Sequence, residues 1–434
     1  MPTILGFAAL FMLATDALNL ELSLAPGLSV KNLLLYMIFV LLALRMVVGR
    51  GSVMDMRQIQ GAFIVLIAYA IVTLLVAGLL MNYPHYDLMQ SAIKLKSGLI
   101  DHYIFFAVCL FGVQTSEDAM KVIKGLLLGA LFANILTILD ATHVISLGFK
   151  IREDGRTTGA IGESNQYAAF IILFLPPTVA AAVATHGMRR LFWFGAALTG
   201  VMALVMTASR GGFVGLAMAC AVGAYLYRHL ISYSRISGWV FGSLILLVLV
   251  VSLSPYGNLL AERMIGTSGS IDANTASSGR SDIWLDALAT MFAHPITFVT
   301  GFGWDAYWSM PFQYSPHNHY IGLWFNLGLL GLGLGSYLLF TVIGRARRAS
   351  LVAAPPVRGQ LIAFVLGATG VCTAIFFVDL HNPWFYFWMY AGLIMRMALC
   401  VQQNPATVPA TMPRTRRHAP ARDPYGWTQP VSRS

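Results

Sequence analysis

The chain is poor in charge. Only 11% of its 434 residues are Asp, Glu, Lys or Arg, against roughly a quarter in a soluble globular domain. So low a share over this length excludes an ordinary soluble enzyme and points to a polytopic membrane protein. Cysteine is scarce as well. Cys109, Cys220, Cys372 and Cys400 lie far apart inside apolar runs, a pattern that suits neither a zinc site nor a disulfide framework and reads as buried packing residues. The first residues show no basic n-region and no small-residue cleavage site, so the opening apolar run is expected to be a retained span. No internal repeat stands out. Lys and Arg exceed Asp and Glu, 28 to 18, but they form no basic face interleaved with aromatics, so no nucleic acid is expected as a partner.

What the chain does have is apolar length. Hydrophobic residues make up 57% of it. A spanning helix needs about 20 of them in a row, and candidate spans lie near 2–22, 30–48, 60–81, 97–114, 119–140, 166–185, 190–207, 211–230, 236–254, 319–343, 359–379 and 383–401. The expected architecture is therefore an all-α membrane bundle of about twelve helices over residues 1–401. The loops between the spans alternate in charge. One set carries Arg45, Arg50, Arg57, Lys121, Lys124, Arg189, Arg190, Arg228, Arg345, Arg347 and Arg358, and the C-terminal end adds more arginine. The positive-inside rule puts that side, with both termini, in the cytoplasm. Most acids and most histidines fall on the other side. Residues 402–434, rich in Pro, Arg and Thr, cannot bury a core and are expected to be disordered, with arginines suited to anionic lipid.

The outer side holds the unusual chemistry. Asp16, Asp101, Asp140 and Asp379 stand at the outer ends of spans, where ionisable groups are costly and mark functional sites; the plainer reading of any one of them is a hydrated acid just past the interface. Residues 255–318 form the largest extramembrane piece. Within it, Trp284, Ala287, Leu288, Met291 and Phe292 repeat at helical spacing. The reading is an amphipathic helix over 282–293, capped by Ser281 or Asp282 and ended before Pro295, lying on the membrane surface or packed on the bundle. Arg210, Arg280 and the pair His317-Asn318 each stand just before a helix start, and Arg156 and Asn165 repeat the pattern before the span at 166. Helix N-termini favour anions, and an arginine fork matches phosphate. A polyanionic ligand at the outer membrane surface accounts for the whole set. His317 and His319 are two residues apart, share no helical face and have no third ligand nearby in the sequence, which argues against a metal site.

His317-Asn318, nine residues, Gly328, two residues and Gly331 fit the pattern H-[NSQ]-x9-G-x-x-G. On these residues the chain resembles the O-antigen ligase and O-antigen polymerase superfamily of bacterial membrane glycosyltransferases. The span number, the cytoplasmic termini and one large periplasmic loop just before the motif are similar too. Arg210 sits where the family has an essential arginine in a short turn between two spans, and Arg280 where it has a second one in the large loop.

The resemblance implies a GT-C-type helical fold in the bacterial inner membrane with its active site facing the periplasm. The donor would be a glycan on undecaprenyl diphosphate and the acceptor a sugar hydroxyl: lipid A core for a ligase, another lipid-linked repeat for an O-antigen or exopolysaccharide polymerase. Neither metal nor nucleotide is expected as a cofactor. Arg210, Arg280 and His317 are the expected catalytic residues, the arginines neutralising the departing diphosphate. His317 has two readings: general base on the acceptor hydroxyl, or protonated phosphate ligand. Asn318, Arg156, Asn165 and His319 are expected to bind substrate. Gly328 and Gly331 are expected to let two helices pack closely. Two rival readings stand beside this one. A transporter would need charges near the midplane, which is nearly bare here, and a structural subunit would tolerate loss of Arg210, Arg280 and His317.

Overall fold

In lipid, backbone N–H and C=O groups find partners only in one another, so long apolar runs must be helical. The computed structural model, which describes residues 1–18, 20, 22–49, 56–147, 149, 156–230, 280–310 and 316–403, is built almost wholly of helices. Eight of these are long and apolar enough to cross a membrane: Arg57–Met81, Leu88–Gly112, Ser116–Ala141, Ser164–Val183, Gly187–Thr207, His319–Val352, Val357–Ala374 and Pro383–Gln403. Three shorter apolar helices, Pro2–Ala17, Val30–Leu44 and Arg210–Leu226, accompany them. The protein is an all-α integral membrane protein. Every expected span has a helix except 236–254, which lies outside the described residues, as do the loop segment 255–279 and the tail from residue 404. The strands among the described residues are a short hairpin, Ser23–Ala25 against Leu28–Ser29.

The helix Asn382–Gln403 runs through the core. Phe387, Tyr390, Leu393, Ile394 and Met397 on it are buried. Trp388 meets Phe63 edge-on at 4.6 Å, and Tyr390 meets Phe364 at 5.2 Å. The outward faces carry Val65, Val72, Leu79 and Phe340 in the open, a surface suited to acyl chains. The two sets of loops fall at opposite ends of the bundle. At one end Arg345 bonds Gln58 at 2.6 Å and Arg396 bonds the Leu110 carbonyl at 2.8 Å. The other end gathers Asp16, Lys31, Asp101, Tyr386 and the start of the His319–Val352 helix.

Four sequence readings need correction. The span expected at 97–114 is part of a helix that already begins at Leu88, after an Asp87 cap. Asp101 within it is paired with Lys96 at 2.9 Å across a π-helical turn, Lys96–Ile100. Cysteines are not uniformly buried: Cys109 is, while Cys220 is exposed on the outside of its helix. The loop helix runs Arg280–Ala293, so Ser281 and Asp282 lie inside its first turn, and Pro295 opens a further short helix, Pro295–Thr300. Lastly, the acids at the span ends are paired rather than merely hydrated. Asp16 bonds Lys31 and Tyr386, Asp101 bonds Asn32 and Tyr36, and Asp140 accepts the Leu147 N–H.

Candidate active site

The His319–Val352 helix starts on an asparagine cap. Asn318 is extended, buried, and accepts the N–H groups of Tyr320 and Ile321 on Oδ1 at 3.0 and 3.1 Å. Asparagine does this well because its short side chain reaches the otherwise unpaired donors of the first turn. His317, one residue earlier, takes φ 46° and is exposed. A left-handed backbone is uncommon in a residue with a Cβ and clusters at functional sites. The side chain of Asn318 thus shapes the turn that presents His317.

Ten residues beyond the cap the helix breaks. Gly328 has φ 64° and ψ −171°. The break leaves the carbonyls of Phe325 and Asn326 without their helical partners, and the N–H groups of Phe302 and Gly303 take them at 2.9 and 3.0 Å. A Cβ on Gly328 would stand 2.1 Å from the Val299 carbonyl oxygen, and one on Gly331 would stand 2.1 Å from Leu327 Cβ. This corrects the reading of the two glycines as a seam between straight helices. They admit a kink into which the 299–303 backbone inserts.

Arg210 opens the Arg210–Leu226 helix. The preceding turn is tight because Ala208 is left-handed and Ser209 caps Gly212 N–H at 3.2 Å. Arg156 and Asn165 stand behind that turn. Arg156 is 4% exposed, too little for a bound diphosphate to reach it as it stands. It donates Nε–H to the Thr207 carbonyl at 2.8 Å and a guanidinium N–H to Asn165 Oδ1 at 2.9 Å. The same Asn165 oxygen accepts from Ser209 at 2.9 Å. Together they brace the turn that carries Arg210.

Arg280 begins the Arg280–Ala293 helix, which packs on the bundle through Ala287 and Met291, beside Phe302, Tyr307 and Phe325. One turn on, Trp284 donates its indole N–H to the Pro316 carbonyl at 2.7 Å, which ties this helix to the residue before His317.

The segment 375–381 joins these parts. His319 donates its backbone N–H to the Ile375 carbonyl at 2.9 Å, and His319 Nδ1 meets Asp379 Oδ1 at 3.2 Å. A Cβ on Gly322 would stand 3.7 Å from Asp379 Oδ2, and one on Gly211, next to Arg210, would stand 2.8 Å from Phe377 Cβ. The His381 N–H donates to Gln166 Oε1 at 3.1 Å. Burial raises the Asp379 carboxyl, yet the His319 hydrogen bond and the nearby His381 and His317 outweigh it and hold the group below the usual carboxylate range. The structure thus sets His319 and His317 near the Asp379 carboxylate, with the Arg210 turn packed on Phe377 and the Arg280 helix bonded to the residue before His317. Under His319 lies a small, mainly apolar cavity of about 80 Å³, lined by Leu323, Leu327 and Trp384 among others. What arrangement of this kind can do is hold a polyanion against cations while a histidine takes or shares a proton.

A family model described as O-Antigen ligase matches residues 195–335. The match supports the resemblance to the O-antigen ligase and polymerase superfamily that the motif residues carry. No curated protein matches the chain. The matched segment holds Arg210, Arg280, His317, Asn318, His319, Gly328 and Gly331, whereas Arg156, Asn165 and Asp379 lie beyond it. An O-antigen ligase or polymerase is a glycosyltransferase-type enzyme with a lipid-linked glycan and a saccharide acceptor as its reactants. Asp379 was legible in the sequence only as an acid at a span end; nothing local marked it as the partner of His319.

Proposed function

We propose that this protein moves a glycan from undecaprenyl diphosphate to a sugar hydroxyl at the periplasmic face of the bacterial inner membrane, as an O-antigen ligase with lipid A core as acceptor. The observation that supports the proposal is that Arg210, Arg280 and His317 each stand beside a helix N-terminus, the Arg210 turn packing on Phe377 and the Arg280 helix bonding the residue before His317. In the proposed reaction the acceptor oxygen attacks the anomeric carbon of the donor sugar. The bond from that carbon to the diphosphate oxygen breaks, the diphosphate leaves with its electron pair, and the hydroxyl proton passes to His317. Arg210 and Arg280 neutralise the leaving group, where preorganised charge has its largest effect. Asp379 stabilises the imidazolium that results. Asn318, Arg156, Asn165 and His319 then act on substrate mainly through the shape they give the site. The cavity under His319 offers apolar wall to the start of the isoprenoid chain.

The membrane domain would span 1–401, with the 255–318 loop in the periplasm and both termini, including the 402–434 tail, in the cytoplasm. The test is glycan analysis of cells lacking the gene, complemented with wild type or His317→Ala. Long lipid-linked chains accumulating beside bare lipid A core support the ligase. Accumulation of single repeat units, or loss of secreted polymer, assigns a polymerase instead. Unchanged glycans in the deletion strain, with no paralogue present, would overturn the glycosyltransferase reading.

A further inference from the structure

A second cavity opens at the same end of the bundle, on the far side of the Asn382–Gln403 helix from His319. Its volume is about 370 Å³, within the range of small-ligand sites. Asp16 forms its floor and is paired with both Lys31 and Tyr386. Phe385 and Phe105 form an aromatic side, Ser23 and Ser29 of the short hairpin the rim, and Ala160–Gly162 the wall toward Asn165. None of the motif residues lines it.

The lining selects its ligand. A diphosphate is disfavoured, because the one lysine is already neutralised by Asp16. An acyl chain is disfavoured, because it would cover a carboxylate and an ammonium that are both partly exposed, at 12% and 29%. A hydroxylated ring suits both parts. Among the described residues the Asp16 oxygens each meet one donor and keep further acceptor capacity, and Lys31 keeps further N–H donors. Aromatic faces such as Phe385 take the C–H side of a pyranose. Phe385 also stacks edge-on against His102 at 4.7 Å, and His102 lines the cavity under His319. The two cavities therefore share the first turn of one helix.

We infer that the Asp16–Lys31–Phe385 cavity is a saccharide subsite, which binds a sugar unit of the acceptor or of the donor glycan away from the reacting bond. The inference rests on the glycosyltransferase reading for its role, though not for its chemistry. It is tested on the full-length protein in nanodiscs by saturation-transfer NMR titration with two probes: core oligosaccharide released from the host's lipopolysaccharide, and glycan released from its lipid-linked donor. Ser23→Trp fills the rim from an exposed position, and Asp16→Asn removes the charge from the floor with little change of shape. Wild type should bind one probe, which names the source, and each variant should weaken it about tenfold. Binding of undecaprenyl diphosphate should stay unchanged in both. Saccharide binding equal in wild type and Ser23→Trp, or no binding of either probe by wild type, would overturn the inference. So would loss of a co-purified phospholipid from Ser23→Trp with saccharide affinity unmoved. The deletion strain judges the enzymatic reading separately, since wild type can restore the glycans whatever the pocket binds.

Discussion

His319 and Asp379 are 60 residues apart in the sequence and joined by a 3.2 Å hydrogen bond. The bond ties the motif helix to the segment that also touches the Arg210 turn. Asp379→Asn keeps the shape and removes the charge, so turnover should fall about tenfold or more, the loss of one charge-assisted hydrogen bond. The same variant tests the electrostatics. The folded-state carboxyl lies below its ordinary value, so its stabilising effect is complete above the unfolded value, about pH 4, and is lost as pH falls through the lower folded value. Wild type and Asp379→Asn should differ by a steady margin in thermal unfolding above about pH 4, with the margin shrinking below it. A margin that does not depend on acid would mean that the carboxylate contributes by packing alone.

Gly328 and Gly333 make a matched pair in one helix. Gly328 has φ 64°, with the Val299 carbonyl where a Cβ would be, whereas nothing lies within 4 Å of a Cβ on Gly333. Gly328→Ala should cost about 2 kcal/mol or more from the left-handed backbone and the clash. Gly333→Ala should be neutral or slightly stabilising, since alanine is the better helix former. Thermal unfolding in detergent reads both, and equal behaviour would contradict the kink.

Arg156 and Arg210 are both arginines before helix starts, yet the structure gives them different surroundings. Arg156→Ala would take a donor from both the Thr207 carbonyl and Asn165, which keeps Ser209, and should lower stability by about 2 kcal/mol. Arg210→Ala should lower turnover about 10² to 10³-fold in the protein that folds, as loss of one charge-stabilising group does. The two readouts, taken on the same pair of variants, separate a brace from a catalytic group.

Trp284 reaches Pro316 through a single hydrogen bond of 2.7 Å. Trp284→Phe keeps most of the apolar contact and deletes the donor. About 1 kcal/mol should be lost, and the loss should appear as lower turnover with Arg280 and His317 intact. Unchanged turnover would show that the loop helix holds its place without this bond.

The helices were legible because lipid leaves an apolar run one way to satisfy its backbone, so length and composition are enough. Arg210 and Arg280 were legible as cations at helix starts, and His317 by the short motif that it opens. What the sequence hid was mostly long-range or hidden by burial. Asp379 finds His319 only when two span ends meet, and Arg156 looks like Arg210 until its donors are seen to face inward. Asn318 is a different case. An asparagine directly before an apolar run is a cap signal, and the neighbouring histidines drew attention to substrate instead. Gly328 and Gly331 show the limit of spacing arguments, because the same interval serves a helix seam and a helix break.

His317 has two readings that one substitution can divide. Glutamine can donate a hydrogen bond to phosphate but cannot take a proton from an acceptor hydroxyl. Alanine can do neither. If His317 is the base, His317→Gln and His317→Ala should both fall about 10² to 10⁴-fold in turnover, while binding of undecaprenyl diphosphate stays near wild type in each. If His317 holds phosphate, glutamine should retain much of the activity and alanine should lose both binding and turnover. Asp379 does not divide the two, because a carboxylate near His317 stabilises an imidazolium whether its proton comes from the acceptor or is held from the start. Full activity in His317→Gln would remove the base from the reaction and leave the acceptor hydroxyl to react with only the departing diphosphate to take its proton.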